Sequence, residues 1–119
     1  VIGHLNSGAT LPASKVYNDA GIPMVTPSAT NPKITQQGFK YVFRTIGNDG
    51  SIGSGIAKYV HDTLKFKNVA IIDDRTAYGQ GVADEFEKAL KAAGGNVVAR
   101  QYTNDKATEF SAILTSIRA

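Results

Sequence analysis

Residues 68–90 read NVAIIDDRTAYGQGVADEFEKAL. The first six, Asn68 to Asp73, form an apolar run without polar alternation, the pattern of a strand covered on both faces as in a parallel sheet. Behind it Val82, Phe86 and Leu90 recur at steps of four, a helical period that stops at Gly94-Gly95. Val97 and Val98 then begin another strand. A buried strand, a helix and a second strand make a βαβ unit, and its crossover is right-handed.

Reading outward, the same alternation holds. Val1-Ile2-Gly3 is a first β-rich run, expected to be a buried strand. Pro12 suits the opening turn of a helix, with Ala13, Val16, Tyr17 and Ala20 on one face and Gly21 as its stop. Ile22 to Thr26 is a second strand, closed by Pro27-Ser28-Ala29-Thr30. A polar loop leads to a third extended run at Tyr41 to Arg44. After Gly47-Asn48-Asp49-Gly50 a helix is predicted with Ile52, Ile56, Tyr59, Val60 and Leu64 on its apolar face. Phe110, Ile113, Leu114 and Ile117 mark a final helix. The fold class predicted is α/β, a doubly wound parallel sheet.

The chain has 119 residues with 42% hydrophobic and 19% charged content, enough for one compact domain and against disorder. The net charge of +3 is scattered, without the basic stripe and stacking aromatics of a nucleic-acid footprint. No apolar run has the length of a membrane span. The absence of cysteine removes disulfides and thiol chemistry and leaves the compartment open.

Ligands of open parallel sheets sit beyond the carboxyl ends of the strands. Three stretches leave such ends: Asn6 to Thr10, Pro27 to Thr30 and Asp74 to Gly81. The first two combine hydroxyls with small residues and backbone N–H groups near a helix start, a chemistry that suits a carboxylate. One at a time, Ser7, Thr10, Ser28 and Thr30 read more naturally as helix caps and turn residues. Two such loops on one edge shift the balance toward binding. Tyr78 adds an aromatic wall, or a turn aromatic packed on its own helix.

Enzyme signatures are sparse. No P-loop and no GxSxG elbow occur, and Gly50, Gly53 and Gly55 run in the wrong order for a dinucleotide loop. His4 and His61 lack the spacing of a zinc pair. Asp73 and Asp74 follow a buried strand and read as strand-end polar residues more readily than as a metal site or base. No catalytic residue, metal or cofactor is expected.

The stretches VIGHLNSGAT, GIPMVTPSATNPKIT, FRTIGNDGSIG, VAIIDDRTAYGQGVADEF and ATEFSAILTSIRA occur in an order and with gaps that resemble the periplasmic branched-chain amino-acid binding proteins, the solute receptors of ABC importers with the type I periplasmic fold. The resemblance runs over essentially the whole chain. It implies parts of two Rossmann-like lobes, residues 1–46 from the first and 47–119 from the second, joined at a crossing near the hinge residues Gly47 and Asn48. It implies that Ser7, Ser28, Ala29 and Thr30 hold the α-carboxylate of leucine, isoleucine or valine, Ser7 and Thr30 through hydroxyls and Ser28 and Ala29 through backbone groups. Tyr78 would cover the ligand from the second lobe.

The same resemblance implies a periplasmic or lipid-anchored extracytoplasmic protein whose partners are an amino acid and a membrane permease. Family members are much longer, so the chain reads as an internal piece whose ammonium partner and further hinge crossings lie elsewhere. Asn6 stands where some members carry a disulfide cysteine. Exposed sheet edges in such a piece would favour a homodimer. A sensor domain of the same fold is the alternative role, and an α/β enzyme using Asp73, Asp74 or His4 a distant one.

Overall fold

A computed structural model describes residues 1–118. Two parallel two-stranded sheets follow one another along the chain. Helix α1 (Ser7–Asp19) precedes strand β1 (Met24–Thr26), the short helix α2 (Lys33–Gln36) and strand β2 (Val42–Arg44). Helix α3 (Asp49–Lys58) runs on into a π-helical turn at Tyr59–Thr63. Strand β3 (Asn68–Asp73), helix α4 (Ala77–Ala92), strand β4 (Asn96–Tyr102) and helix α5 (Ser111–Arg118) complete the order. The predicted α/β class and parallel pairing stand.

In the first sheet Met24 pairs with Val42 and Thr26 with Arg44. Met24, Ala29, Ile34 and Val42 form its core, with Leu11, Tyr17 and Phe39 packed around them. In the second, Asn68 pairs with Asn96 and Asp73 with Tyr102, with a register shift at Val69/Ala70. Arg100 of β4 reaches Asp73 at 2.9 Å, Asp84 at 2.7 Å and Glu87 at 2.8 Å, which ties α4 to the sheet face.

Several expectations are corrected. The opening run contributes one parallel bridge, Ile2 to Val25, with Val25 N–H donating to Val1 and Gly3 N–H to Val25, both at 2.9 Å. It is an edge and not buried: Ile2 is 86% exposed. Helix α1 begins at Ser7, five residues before Pro12, so Asn6 to Thr10 is not a loop. Proline inside a helix removes one N–H···O bond and crowds the preceding turn. Burial of Ser7, Thr10 and Ser14 on the inner face outweighs that cost, and the Thr10 hydroxyl donates back to Asn6 C=O at 2.9 Å. The predicted face of Val16 points out, 65% exposed. Gly21 ends the helix as expected, at φ +68° just past the Ala20 cap.

Helix α3 turns its small residues inward. Gly53 and Ala57 are buried, while Ile52, Ile56, Tyr59 and Leu64 of the predicted apolar face are exposed. The reason is a close crossing with α4: a Cβ on Gly53 would lie 2.7 Å from the Phe86 backbone nitrogen. Helix α2 replaces part of the expected polar loop and buries Ile34. The loop after β3 is only Asp74 to Thr76, because the Thr76 hydroxyl caps α4 by accepting from Gly79 N–H at 2.9 Å.

Leu90 is fully buried on α4 against Gly95. Leu90→Ala is expected to destabilise the fold by about 3 kcal/mol, through lost transfer energy plus a cavity, as read by urea unfolding. A loss below about 1 kcal/mol would mean that the second sheet does not pack around this side chain.

Candidate functional site

The carboxyl end of β1 and the starts of α1 and α4 converge on one concavity of about 250 Å³. Leu5, Asn6, Ser7, Ser28, Ala29, Thr30 and Tyr78 line it. All five residues assigned to ligand contact from the sequence, Ser7, Ser28, Ala29, Thr30 and Tyr78, are therefore brought together. Leu5 and Asn6 were not singled out as lining residues; they precede the helix that the Pro12 reading started too late.

Three helix starts are handled differently. Asn48 caps α3 by accepting from Ser51 N–H at 3.1 Å, and Thr76 caps α4. At α1 the N-cap residue is Asn6, and no side chain caps the helix. Ala9 and Thr10 N–H groups reach the Asn6 carbonyl, which leaves the Ser7 N–H group at the concavity and the Gly8 N–H group at the one that adjoins it. The reading of Ser7 as a cap is corrected: it is the first helical residue.

Ser7 is buried, and its oxygen accepts from Asn31 N–H at 3.2 Å. A hydroxyl that accepts in this way keeps its own hydrogen for a further acceptor. Thr30 is also buried, and its hydroxyl has no partner among the described residues. The backbone assignment of Ala29 is narrowed, since Ala29 N–H already donates to the Thr26 hydroxyl at 3.0 Å and Ser28 N–H reaches the same oxygen at 3.4 Å. Tyr78, the second residue of α4, is 47% exposed and forms the opposite wall. A second concavity runs on from it past Gly8, Ala9, Asp74, Thr76 and Asp105.

The residues weighed for catalysis are otherwise engaged. Asp73 accepts from Arg100 and from Arg75 N–H, and Asp74 accepts from Thr76. The His4 ring stacks on Tyr17 with centroids 5.9 Å apart. Among the described residues no group of three or more His, Cys, Asp or Glu could hold a metal ion, and no helix is long and apolar enough to cross a membrane.

Gly47 lies in the link from β2 to α3, and the start of α3 is bonded back to the loop after β1. Asp49 N–H donates to Thr30 C=O at 2.9 Å. The Asp49 side chain is fully buried, and neither carboxylate oxygen has a hydrogen-bond partner among the described residues. Burial pushes its carboxyl above the ordinary carboxylate range, against the opposing pull of the neighbouring Thr30 hydroxyl and the Arg44 charge.

Residues 1–119 match the family described as periplasmic binding protein. The chain belongs to that family. It is 42% identical over 118 residues to the leucine-specific-binding protein of Salmonella typhimurium, covering 99% of this chain and 32% of that one. It is 38% identical to the leucine-, isoleucine-, valine-, threonine-, and alanine-binding protein of Pseudomonas aeruginosa. The structure of a leucine binding protein from Thermotoga maritima superposes with a TM-score of 0.90 at 30% identity, covering 98% of this chain and 34% of that one. A branched-chain amino acid transporter substrate binding protein from Streptococcus pneumoniae, solved with isoleucine, gives 0.85 at 33% identity over 100% of this chain and 33% of that one. The periplasmic binding protein chain described here thus spans about a third of the length of these relatives. Its fold is a part of the type I periplasmic binding fold, and its relatives are solute-binding proteins.

The raised Asp49 carboxyl fixes the sign of a pH effect. The folded state holds this proton more tightly than the unfolded state, so stability declines as pH rises from the unfolded carboxylate value through the raised one. Asp49→Asn is expected to raise the urea midpoint at pH 7, with the gain shrinking as pH is lowered through the carboxylate range. A midpoint lowered at pH 7 would mean that the site favours the charged form.

Proposed function

We propose that this chain supplies the carboxylate grip and aromatic cover of an extracytoplasmic receptor that captures branched-chain amino acids for an ABC importer. In this reading residues 1–46 belong to one lobe and 47–119 to the other, with Gly47 and Asn48 at the crossing. The complete receptor closes on its ligand by a hinge motion and performs no catalysis. Its partners are the amino acid and the membrane permease, and it works in the periplasm or tethered outside the cell membrane.

The observation that carries the reading is the uncapped start of α1 beside two spare hydroxyls. The Ser7 and Gly8 N–H groups and the Ser7 hydroxyl are donors short of acceptors, and the buried Thr30 hydroxyl, beside the Asp49 carboxyl, makes no hydrogen bond among the described residues. A carboxylate supplies four lone-pair positions and is favoured by the positive end of the helix dipole. No lysine or arginine lines the concavity, so the anion would be held by neutral dipoles. Tyr78 gives the ligand's carbon skeleton a face to pack on. The names of the relatives, which specify leucine or branched-chain amino acids, support the same ligand class.

Titration calorimetry of the full-length protein carrying these residues, with L-leucine, L-isoleucine and L-valine, tests the proposal. Ser7→Ala is expected to weaken binding at least about tenfold, as loss of a hydrogen bond to a charged group does. Raising salt from 50 to 500 mM is expected to change affinity by less than about twofold, because no side-chain charge holds the carboxylate. A steep loss with salt, or a Ser7→Ala variant that binds as the parent does, overturns this assignment. For the 119-residue chain alone we propose a homodimer, supported by the exposed Ile2 edge and the outward Ile52 and Ile56. Light scattering that shows a monodisperse monomer overturns it.

A further inference from the structure

Asn31 was not among the residues assigned from the sequence, yet it is bonded both to Ser7 in the concavity and to Ala77 beside Tyr78. It follows Thr30 directly and is 6% exposed. Its N–H donates to the Ser7 hydroxyl oxygen at 3.2 Å, and its C=O accepts from Arg44 at 3.1 Å. Its side-chain oxygen accepts from Lys33 N–H at 3.0 Å, while its side-chain nitrogen donates to Ala77 C=O at 2.7 Å. Turning the amide over would break both side-chain bonds, so its orientation is fixed by its partners.

Ala77 is the first residue of α4 and the neighbour of Tyr78. Among the described residues, the Asn31–Ala77 bond is the one hydrogen bond or ion pair that joins residues 1–46 to anything beyond the start of α3. Gly81, one turn along α4, lies against the same amide. A Cβ there would stand 2.8 Å from the Asn31 side-chain nitrogen and 2.6 Å from an Asp49 carboxylate oxygen. The backbone of α4 is therefore seated on Asn31 and Asp49 with no space for a side chain between them.

We infer that Asn31 is a positioning residue, a latch whose side-chain amide seats α4 so that Tyr78 stands over Ser7 and Thr30 in the closed arrangement. It contacts no ligand in this reading and acts through Tyr78 and Ser7; the inference rests on the proposed receptor function. When the two sheets part, the amide and the Ala77 carbonyl return to water, so the bond favours the closed state by a modest factor. Closure follows first contact with the α1 grip. Loss of the latch therefore appears in the rate of ligand release and leaves association nearly unchanged.

The test uses the full-length protein with Asn31→Asp, Asn31→Ala and Gly81→Ala. Asn31→Asp keeps the oxygen that accepts from Lys33 N–H and removes the donor to Ala77, which separates the latch from support of the local turn. Stopped-flow binding of L-leucine is expected to show release about five- to tenfold faster in Asn31→Asp, with association within about twofold of the parent. Spin labels on the exposed positions Lys15→Cys and Lys88→Cys report the distance between α1 and α4. Leucine is expected to narrow that distribution in the parent, and both Asn31→Asp and Gly81→Ala are expected to keep a longer-distance population. Parental release rates and parental distances in Asn31→Asp overturn the latch, as does an Asn31→Ala effect that Asn31→Asp does not share. If the parent binds none of the three amino acids, the receptor reading fails. The latch is then judged on the ligand-free distribution, which Asn31→Asp must broaden and which, unchanged, sinks it.

Discussion

The hydrogen bond from Asp49 N–H to Thr30 C=O, 2.9 Å long, is the constraint on which the rest of this chain depends. It fixes the first residue of α3 to the loop that leaves β1, so α3 starts beside Thr30 of the concavity. Asp49 must then sit where its side chain has no solvent. The carboxylate is left without hydrogen-bond partners, an arrangement that costs stability unless the surrounding packing offsets it. The offset is visible in the glycines opposite: Gly81 lets α4 approach Asp49, and Gly53 lets α3 approach α4. Two absent side chains and one strained charge together bring Tyr78 within reach of Ser7.

The chemistry of the concavity follows from the same geometry. A parallel strand delivers its carboxyl end toward a helix start, where N–H groups are unpaired by construction. At α3 and α4 those groups are met by Asn48 and Thr76, and the helix ends are closed. At α1 the Asn6 side chain does not close the end, and hydroxyls stand beside it instead. Hydroxyls and N–H groups bind an anion by fixed dipoles, which discriminate by geometry and are screened little by salt. A lysine in the same place would bind many anions and respond to ionic strength.

Much of this was legible in the sequence, and the failures have physical causes. The alternation around NVAIID gave the α/β class because an apolar run between helical periods has few other readings. Ser28, Ala29 and Thr30 follow the end of β1, and Ser7 and Tyr78 stand at the starts of α1 and α4, so the order of elements alone already placed them near strand ends and helix starts. The start of α1 was misread at Pro12, since tertiary burial of Ser7 and Thr10 overrode a local helix breaker. The inward face of α3 was misread because large apolar residues at helical spacing outscore Gly53 and Ala57, although the close crossing with α4 admits only the small ones. Asn31 carried no local signal at all. Its importance comes from a contact 46 residues away, and a lone Asn before Pro32 reads as a turn residue.

Apolar burial is concentrated within each sheet and its helices. Met24, Ala29, Ile34 and Val42 pack within the first sheet and its helices. Ile71, Ala83 and Leu90 lie within the second sheet and its helices. Between them the close approaches are made by Asn31, Asp49 and Gly81, which contribute polar contact and little apolar area. Apolar burial scales with area, so a junction of this kind holds its geometry without a large hydrophobic term opposing separation. In the receptor proposed above, such an intimate but weakly apolar junction would suit closure: tight enough to set Tyr78 against Ser7, and light enough that a single bound carboxylate would shift the balance between open and closed.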